Sequence, residues 1–183
     1  MFATDTGLTR RKVFLLIAVV FLIAYSPAYL THYAYTDDWT NLYWANFDRL
    51  SILNWDTLSG RPVYGIIQYS ASFLVESVEK LALLRSVAIV LLILTGYYIY
   101  SLCQKDGLLE NQAQRITFAL LLCLLPSFQV YVAWASCFPY IGAILLAGAS
   151  YRLSIKPGIP ARLSAFCLLT IAFCLYQPAA MSF

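Results

Sequence analysis

The chain has 183 residues, of which 61% are hydrophobic and 11% are charged, with a net charge of +3 at pH 7. Because soluble domains carry about a quarter charged residues, this composition excludes an ordinary soluble domain and predicts an integral membrane protein. The twelve basic residues are scattered over several segments rather than gathered in a patch, so the sequence gives no support to nucleic-acid binding.

Histidine and cysteine content limits the metal chemistry. His32 is the only histidine, which excludes a metal site built from several histidines. The five cysteines lie in or beside apolar segments without C-x-x-C spacing. This pattern is typical of small buried side chains rather than of a disulfide or a metal site. We therefore predict no such metal site and no certain cofactor, while a divalent cation held by carboxylates remains an alternative.

The first apolar segment extends from residue 13 to residue 30 and follows the basic Arg10-Arg11-Lys12. About 20 apolar residues at roughly 1.5 Å each cross the hydrocarbon core of a bilayer, so this segment predicts a membrane span. A cleaved signal peptide is the alternative, but the segment is long for one and further apolar segments follow it.

The polar segment from about residue 31 to residue 80 begins with a short amphipathic pattern. Between Trp39 and Leu50, large side chains recur at helical spacing, which predicts one face of a helix. Asp37 and Asp38 then lie at the N-terminus of that helix, where free N–H groups and peptide dipoles favour negative charge.

A second amphipathic pattern begins at Pro62, a residue suited to the first position of a helix. Its apolar side is predicted to comprise Val63, Ile66, Ile67, Phe73, Leu74, Val78 and Leu81, with Gln68, Glu76 and Glu79 largely off it. Gly60 and Gly65 are expected at a turn and at a position of close packing. Both helices are predicted to lie along the membrane surface rather than to cross it.

Four more spans are predicted, over residues 83–102, 116–135, 136–151 and 163–183. The predicted fold class is therefore all-α, a polytopic transmembrane bundle of about five spans with two interfacial helices in a first extracytoplasmic loop, residues 31–80. The chain stops within an apolar segment, so we expect residues 1–183 to be a single N-terminal transmembrane module of a larger protein. A complete five-span protein is the alternative.

The distribution of basic residues predicts the orientation of the chain. With the N-terminus in the cytoplasm, the cytoplasmic side carries eight basic residues and the other side four, as the positive-inside rule requires. The eight are Arg10, Arg11, Lys12, Lys105, Arg115, Arg152, Lys156 and Arg162, and the four are Arg49, Arg61, Lys80 and Arg85. The loop that carries Asp37 and Asp38 then faces away from the cytoplasm, and Lys80 and Arg85 are expected to be interface anchors.

Asp37 and Asp38 are the candidates for catalysis. A carboxylate can act as a general base toward a hydroxyl group, and a pair of carboxylates can hold a divalent cation that neutralises a phosphate. The alternative is structural, with Asp38 capping the helix and Asp37 solvated.

A resemblance to a known family rests on Thr36-Asp37-Asp38-Trp39, which follow one span, and on Trp55 and Gly60-Arg61-Pro62, which precede the next. These motifs resemble the N-terminal part of the polytopic GT-C glycosyltransferases, and most closely the glucosyltransferases that modify bacterial O-antigen during serotype conversion. The resemblance implies inverting transfer of a hexose, with glucose as the leading candidate, from a polyprenyl-phosphate donor to a cell-envelope glycan acceptor. It also implies a multi-pass protein of the bacterial inner membrane, in contact with the lipid bilayer.

The resemblance assigns roles to individual side chains. Asp37 or Asp38 would deprotonate or orient the acceptor hydroxyl, and inversion needs one base and no covalent intermediate. Arg61 would pair with the donor phosphate through its planar guanidinium. The alternatives for Arg61 are an interfacial position and an ion pair with Asp56.

Trp39, Tyr64 and His32 are further candidates for substrate binding. Trp39, Trp44 and Trp55 could stack on a sugar or line a prenyl groove. His32 could hydrogen-bond a phosphate, and a structural role is its alternative. Tryptophan and tyrosine also gather at membrane interfaces, so anchoring in the bilayer is the alternative for these aromatic residues.

Two other functions stay open from the sequence, a carrier or flippase of lipid-linked sugars and a non-catalytic membrane subunit. The predicted spans contain almost no ionisable residues, whereas transport pathways usually expose some at membrane depth. Glycosyl transfer is therefore the leading hypothesis.

Overall fold

The computed structural model describes residues 7–182, and every regular element in this range is helical. The helices are α1 (Arg10–Ala24), α2 (Ser26–Leu30), α3 (Thr36–Phe47), α4 (Arg49–Leu58), α5 (Pro62–Ala71), α6 (Leu81–Asp106), α7 (Gln112–Cys123), α8 (Pro126–Ala133), α9 (Phe138–Ser154), α10 (Ile159–Leu175) and α11 (Gln177–Ala180). A short 3-10 turn, Ala135–Cys137, joins α8 to α9. The prediction of an all-α fold is confirmed.

Helix length bears on the predicted spans. Within residues 7–182, α6, with 26 residues, is the one helix that is by itself long and apolar enough to cross a bilayer. The pair α7 and α8 meets the same criterion only jointly, with a bend of 57° between them, and Pro126 begins α8 at that bend. Because prolines and short breaks divide the other apolar segments, the five predicted spans are not reproduced as five long helices.

Helix α6 lies at the centre of the packing and contacts α1, α7 and α9. Gly96 allows α1 to approach closely, since a Cβ atom at this position would lie 2.8 Å from Cε2 of Phe21. Small residues at helix crossings permit such close backbone approach. Fully buried side chains of both helices belong to the surrounding hydrophobic core, among them Ile17, Phe21, Ile89 and Leu92.

The polar segment folds into three helices instead of the predicted two. Helix α3 begins at Thr36, so that Asp37 and Asp38 lie in its first turn as predicted, but it ends at Phe47. Asp48 has φ −159° and ψ 78°, which interrupts the helix before Leu50. Helix α4 was therefore missed, because the spacing of large side chains continues across the interruption and does not reveal it.

Helix α5 begins at Pro62 as predicted but ends at Ala71, well before the predicted end. The predicted polar side is wrong at Gln68, which is buried and donates its amide N–H to the carbonyl oxygen of Ser136. Ile66, predicted to lie on the apolar side, is 55% exposed. A hydrogen bond to a main-chain carbonyl offsets the burial of an amide, and apolar periodicity alone cannot indicate such a bond.

Candidate functional site

Asp38 joins the start of α3 to the 3-10 turn that precedes α9. Its carboxylate is almost fully buried and accepts hydrogen bonds from the backbone N–H groups of Ser136 at 2.9 Å, Tyr35 at 3.2 Å and Ala135 at 3.4 Å. The bond from Tyr35 differs from the predicted cap, because Asp38 is the third residue of α3 and accepts from the backbone of the N-cap residue. The other two bonds come from a distant part of the chain. Asp38 therefore fixes α3 against the turn.

Arg85 neutralises this buried carboxylate. Its Nη2 atom lies 3.6 Å from Oδ2 of Asp38, and neither side chain has exposed surface. The guanidinium also donates to the carbonyl oxygens of Ala133, at 2.9 Å, and of Tyr33, and it stacks over the Tyr33 ring at 3.6 Å. The prediction that Arg85 is an interface anchor is wrong, because the buried Asp38 carboxylate requires a cation beside it.

The two adjacent acids therefore differ in environment. The oxygens of Asp38 are occupied by backbone donors and Arg85 in the interior. Asp37 is exposed and faces a cleft of about 390 Å³ between α3, α4, α5 and α9. The cleft is lined by Asp37, Thr40, Asn41, Trp44, Trp55, Asp56, Arg61, Tyr64 and Tyr140. Of the two predicted catalytic residues, only Asp37 contributes to the lining of this cleft.

Arg61 is held in the cleft by two polar partners. Its Nη2 atom lies 3.4 Å from Oδ1 of Asp56, and its Nη1 atom donates to the hydroxyl oxygen of Tyr140 at 2.9 Å. The guanidinium also lies 5.0 Å from the ring centroid of Tyr64. Gly60 precedes Arg61 with φ +78°, a left-handed conformation that favours glycine. The predicted turn at Gly60 is confirmed, and the ion pair with Asp56 was one of the alternatives for Arg61.

Asp56 lines the cleft, although the sequence indicated it only as a partner of Arg61. Burial raises the pKa of its carboxyl group from 3.8 to about 6, although the neighbouring Arg61 opposes this shift. Gly65 packs against it, since a Cβ atom at Gly65 would lie 3.0 Å from Cβ of Asp56. The close-packing position predicted for Gly65 is confirmed. The sequence contained a signal for this role, because Asp56 directly follows Trp55, one of the residues on which the family resemblance rests.

The predicted aromatic candidates divide between the cleft and the outer surface. Tyr64 lines the cleft and donates its hydroxyl to the carbonyl oxygen of Ser136 at 3.0 Å. Trp44 and Trp55 also line it, with ring centroids 6.2 Å apart. Trp39 does not contribute to this lining and is 57% exposed on another face of α3.

His32 lies outside this cleft as well, in an exposed position before α3. The structure therefore brings together Asp37, Arg61 and Tyr64 of the predicted site residues and leaves out Asp38, Trp39 and His32. Tyr140 is an addition from the predicted fourth span, and its ring stacks on that of Tyr176 at 3.8 Å. No short motif marks Tyr140 in the sequence, because it reaches the cleft through tertiary packing.

The cleft offers carboxylate, amide and hydroxyl oxygens as potential cation ligands. In residues 7–182, no three histidine, cysteine, aspartate or glutamate side chains gather into a cluster suited to a metal ion. Asp37 and Asp56 are the two carboxylates of the cleft, and Asp56 is engaged by Arg61. A divalent cation stays an untested prediction.

No family model matches the sequence, and no curated protein or solved structure shows a significant match to it. The chemistry of the cleft and the motifs that surround it therefore carry the functional argument.

Proposed function

We propose that the chain is the N-terminal catalytic module of a polytopic membrane glycosyltransferase of the GT-C type. It transfers a hexose, with glucose as the leading candidate, from a polyprenyl-phosphate donor to a cell-envelope glycan such as O-antigen, with inversion at the anomeric carbon. The observation that carries this proposal is that Asp37 and Arg61, a potential base and a potential phosphate ligand, line one cleft.

Asp37 is the general base in this proposal. Its carboxylate is exposed, lies in the first turn of α3 and lines the cleft, so an acceptor hydroxyl can reach it. A carboxylate in this position can accept the proton of a hydroxyl group. Asp38 supports Asp37 indirectly, because its bonds to Ser136 and its pair with Arg85 fix the beginning of α3.

Arg61 is the phosphate ligand. A guanidinium stays charged at any working pH and offers several N–H donors in one plane, a geometry that matches phosphate oxygens. Trp44 and Trp55 provide aromatic surface on the same cleft, which suits stacking against the apolar face of a sugar. The cleft volume of about 390 Å³ falls within the range typical of small-molecule sites.

The proposed location is the bacterial inner membrane, with the N-terminus in the cytoplasm and the cleft on the extracytoplasmic side. Helix α6 meets the length requirement for a span. Trp39, Tyr43 and Phe47 are 57%, 61% and 76% exposed along α3. Exposed aromatic side chains of this kind are typical of helices that lie at the membrane interface.

The proposal is tested by substitutions in the intact protein, assayed with a polyprenyl-phosphate hexose and the isolated glycan acceptor. Asp37→Asn is expected to lower the rate of transfer at least about 100-fold, as loss of a general base does, without lowering the melting temperature. The matched control is Asp48→Asn, an acid of the same segment that accepts a hydrogen bond from Ser51 away from the cleft, and it should keep the rate. Full activity of Asp37→Asn would refute the assignment.

A further inference from the structure

Asp56 and Tyr140 engage both Nη atoms of Arg61, which are the atoms that a guanidinium offers in a paired contact with a phosphate. The carboxylate of Asp56 lies 3.4 Å from Nη2 of Arg61, and the Tyr140 hydroxyl accepts from Nη1 on the same guanidinium. The exposed fraction is 22% for the Arg61 side chain and 8% for the Asp56 side chain. Both side chains line the cleft, and the arginine is the more exposed member of the pair.

Among the residues that the structure describes, Arg61 is the one cation that lines the cleft around Asp56. The other titratable groups at the cleft or beside it are the Tyr64 hydroxyl from α5, the Tyr140 hydroxyl from α9, the Asp37 carboxylate from α3 and the Cys137 thiol from the 3-10 turn. None of these is a cation, and both tyrosines and the remaining carboxylate add negative charge when ionised. If the guanidinium turned to a phosphate, Asp56 would be a buried anion beside a second anion, which is strongly unfavourable.

We propose that Asp56 is a positioning residue that holds Arg61 in the cleft, and that the guanidinium passes from Asp56 to the phosphate of the incoming donor while Asp56 takes up one proton. This inference rests on the proposed role of Arg61 as the phosphate ligand and adds a proton-coupled exchange to it. When the donor binds, a solvent hydronium ion or a buffer acid gives up the proton and the Asp56 carboxyl group gains an O–H bond. The reverse transfer takes place when the phosphate leaves, and no other covalent bond is formed or broken.

The direction of the pH dependence follows from this exchange. In the free protein Asp56 ionises at about pH 6, and in the complex the loss of Arg61 and the nearby phosphate raise its pKa further. Between these two values, binding takes up a proton, and the affinity falls as the pH rises, by up to about tenfold per pH unit. Below the lower value Asp56 is already protonated, so the affinity becomes independent of pH.

The experiment is titration calorimetry on the intact protein in lipid nanodiscs with geranyl phosphoglucose as the probe. This compound is a phosphodiester, so its single negative charge does not titrate near neutral pH. Measurements in two buffers of different ionisation enthalpy give the number of protons taken up. We expect an uptake that approaches one proton for the wild type between about pH 7 and the raised pKa of Asp56 in the complex. Asp56→Asn should show no uptake and an affinity that does not vary with pH.

Two further variants separate this inference from a purely structural role. Asp37→Asn removes the other carboxylate of the cleft and should keep the proton uptake, while Asp56→Glu restores a titrating group and should keep it as well. Equal pH dependence in the wild type and Asp56→Asn, or no proton uptake by the wild type, would overturn the exchange while leaving donor binding intact. If geranyl phosphoglucose does not bind the wild type at all, both the exchange and the proposed donor site are refuted.

Discussion

Arg85 and Asp38 form an ion pair in which neither side chain has any exposed surface. The pair is embedded in main-chain hydrogen bonds, since Asp38 accepts from Ser136 and Arg85 donates to Ala133. The Nη1 atom of Arg85 has no hydrogen-bond partner within the part of the chain that the structure describes. Because isolated buried charges are far less favourable than paired ones, each member of the pair depends on the other.

This dependence predicts strong coupling between substitutions at the two positions. Arg85→Met should lower the free energy of unfolding by about 3 kcal/mol, because it leaves the Asp38 carboxylate buried without a cation. The double variant Asp38→Asn with Arg85→Met should lose less than the sum of the single losses. Denaturant unfolding of the purified protein in detergent measures all four free energies. Additive losses would show that the pair carries no net interaction.

The buried carboxyl group of Asp56 predicts a pH-dependent stability. Its pKa is raised from 3.8 to about 6 in the folded protein, so the folded state binds the proton more tightly than the unfolded chain. The contribution to stability is complete below about pH 4 and is lost as the pH rises through about 6, on the order of 2 kcal/mol.

This pH effect is measured as the difference in unfolding free energy between Asp56→Asn and the wild type from pH 4 to pH 7. The difference should shift in favour of the variant as the pH rises, because the amide does not ionise. A difference that is constant over this range would contradict the raised pKa.

The close contact between α1 and α6 predicts that alanine is tolerated less well at Gly96 than at Gly142, which lies outside this contact. Gly96→Ala should lower the melting temperature, at a cost of about 1–3 kcal/mol for overpacking, because the new methyl group would lie 2.8 Å from Cε2 of Phe21. Gly142→Ala in α9 is the control, since within residues 7–182 its added Cβ would meet no atom within 4 Å apart from its chain neighbours and the backbone of its own helix. It should be neutral or stabilising, as alanine favours the helix. Equal melting temperatures for both variants would argue against the close helix contact.

The geometry of Arg61 predicts that lysine cannot replace it. Arg61→Lys keeps the charge but loses the planar fork that contacts Asp56 and Tyr140 together. We expect kcat/KM for the proposed glycosyl transfer to fall by about tenfold or more, since one charge-assisted hydrogen bond contributes about 1.5–3 kcal/mol. Arg49→Lys is the matched control, because Arg49 pairs with Glu76 outside the cleft. An equal loss of kcat/KM in both variants would contradict a specific role of the Arg61 guanidinium.

The helical fold and much of the polar segment could be predicted from the sequence. Apolar runs without charge dictate helices, and Pro62 marks the start of α5 through its fixed φ and missing N–H group. The motif Thr36-Asp37-Asp38-Trp39 indicated the beginning of α3. These features depend on local chemistry, so the residues themselves carry the information.

The different environments of Asp37 and Asp38 could not be predicted in this way. Asp37 and Asp38 are identical in chemistry and adjacent in sequence, and only the helical rotation between them directs one outward and the other to Arg85. Arg85 resembled an anchor because arginine near the end of an apolar segment commonly occupies the interface. Its true partners, Asp38 and Ala133, come from distant segments, and single-sequence patterns do not encode such contacts.

The position of Ala133 also sets an order of events during synthesis. Arg85 leaves the ribosome well before Ala133, Ala135 and Ser136, yet its guanidinium and the Asp38 carboxylate depend on their main-chain groups. Until the 3-10 turn has been synthesised, the charged groups of Arg85 and Asp38 therefore lack main-chain hydrogen-bond partners that they have in the folded protein. The beginning of α3 can adopt its finished geometry only after translation has passed residue 136.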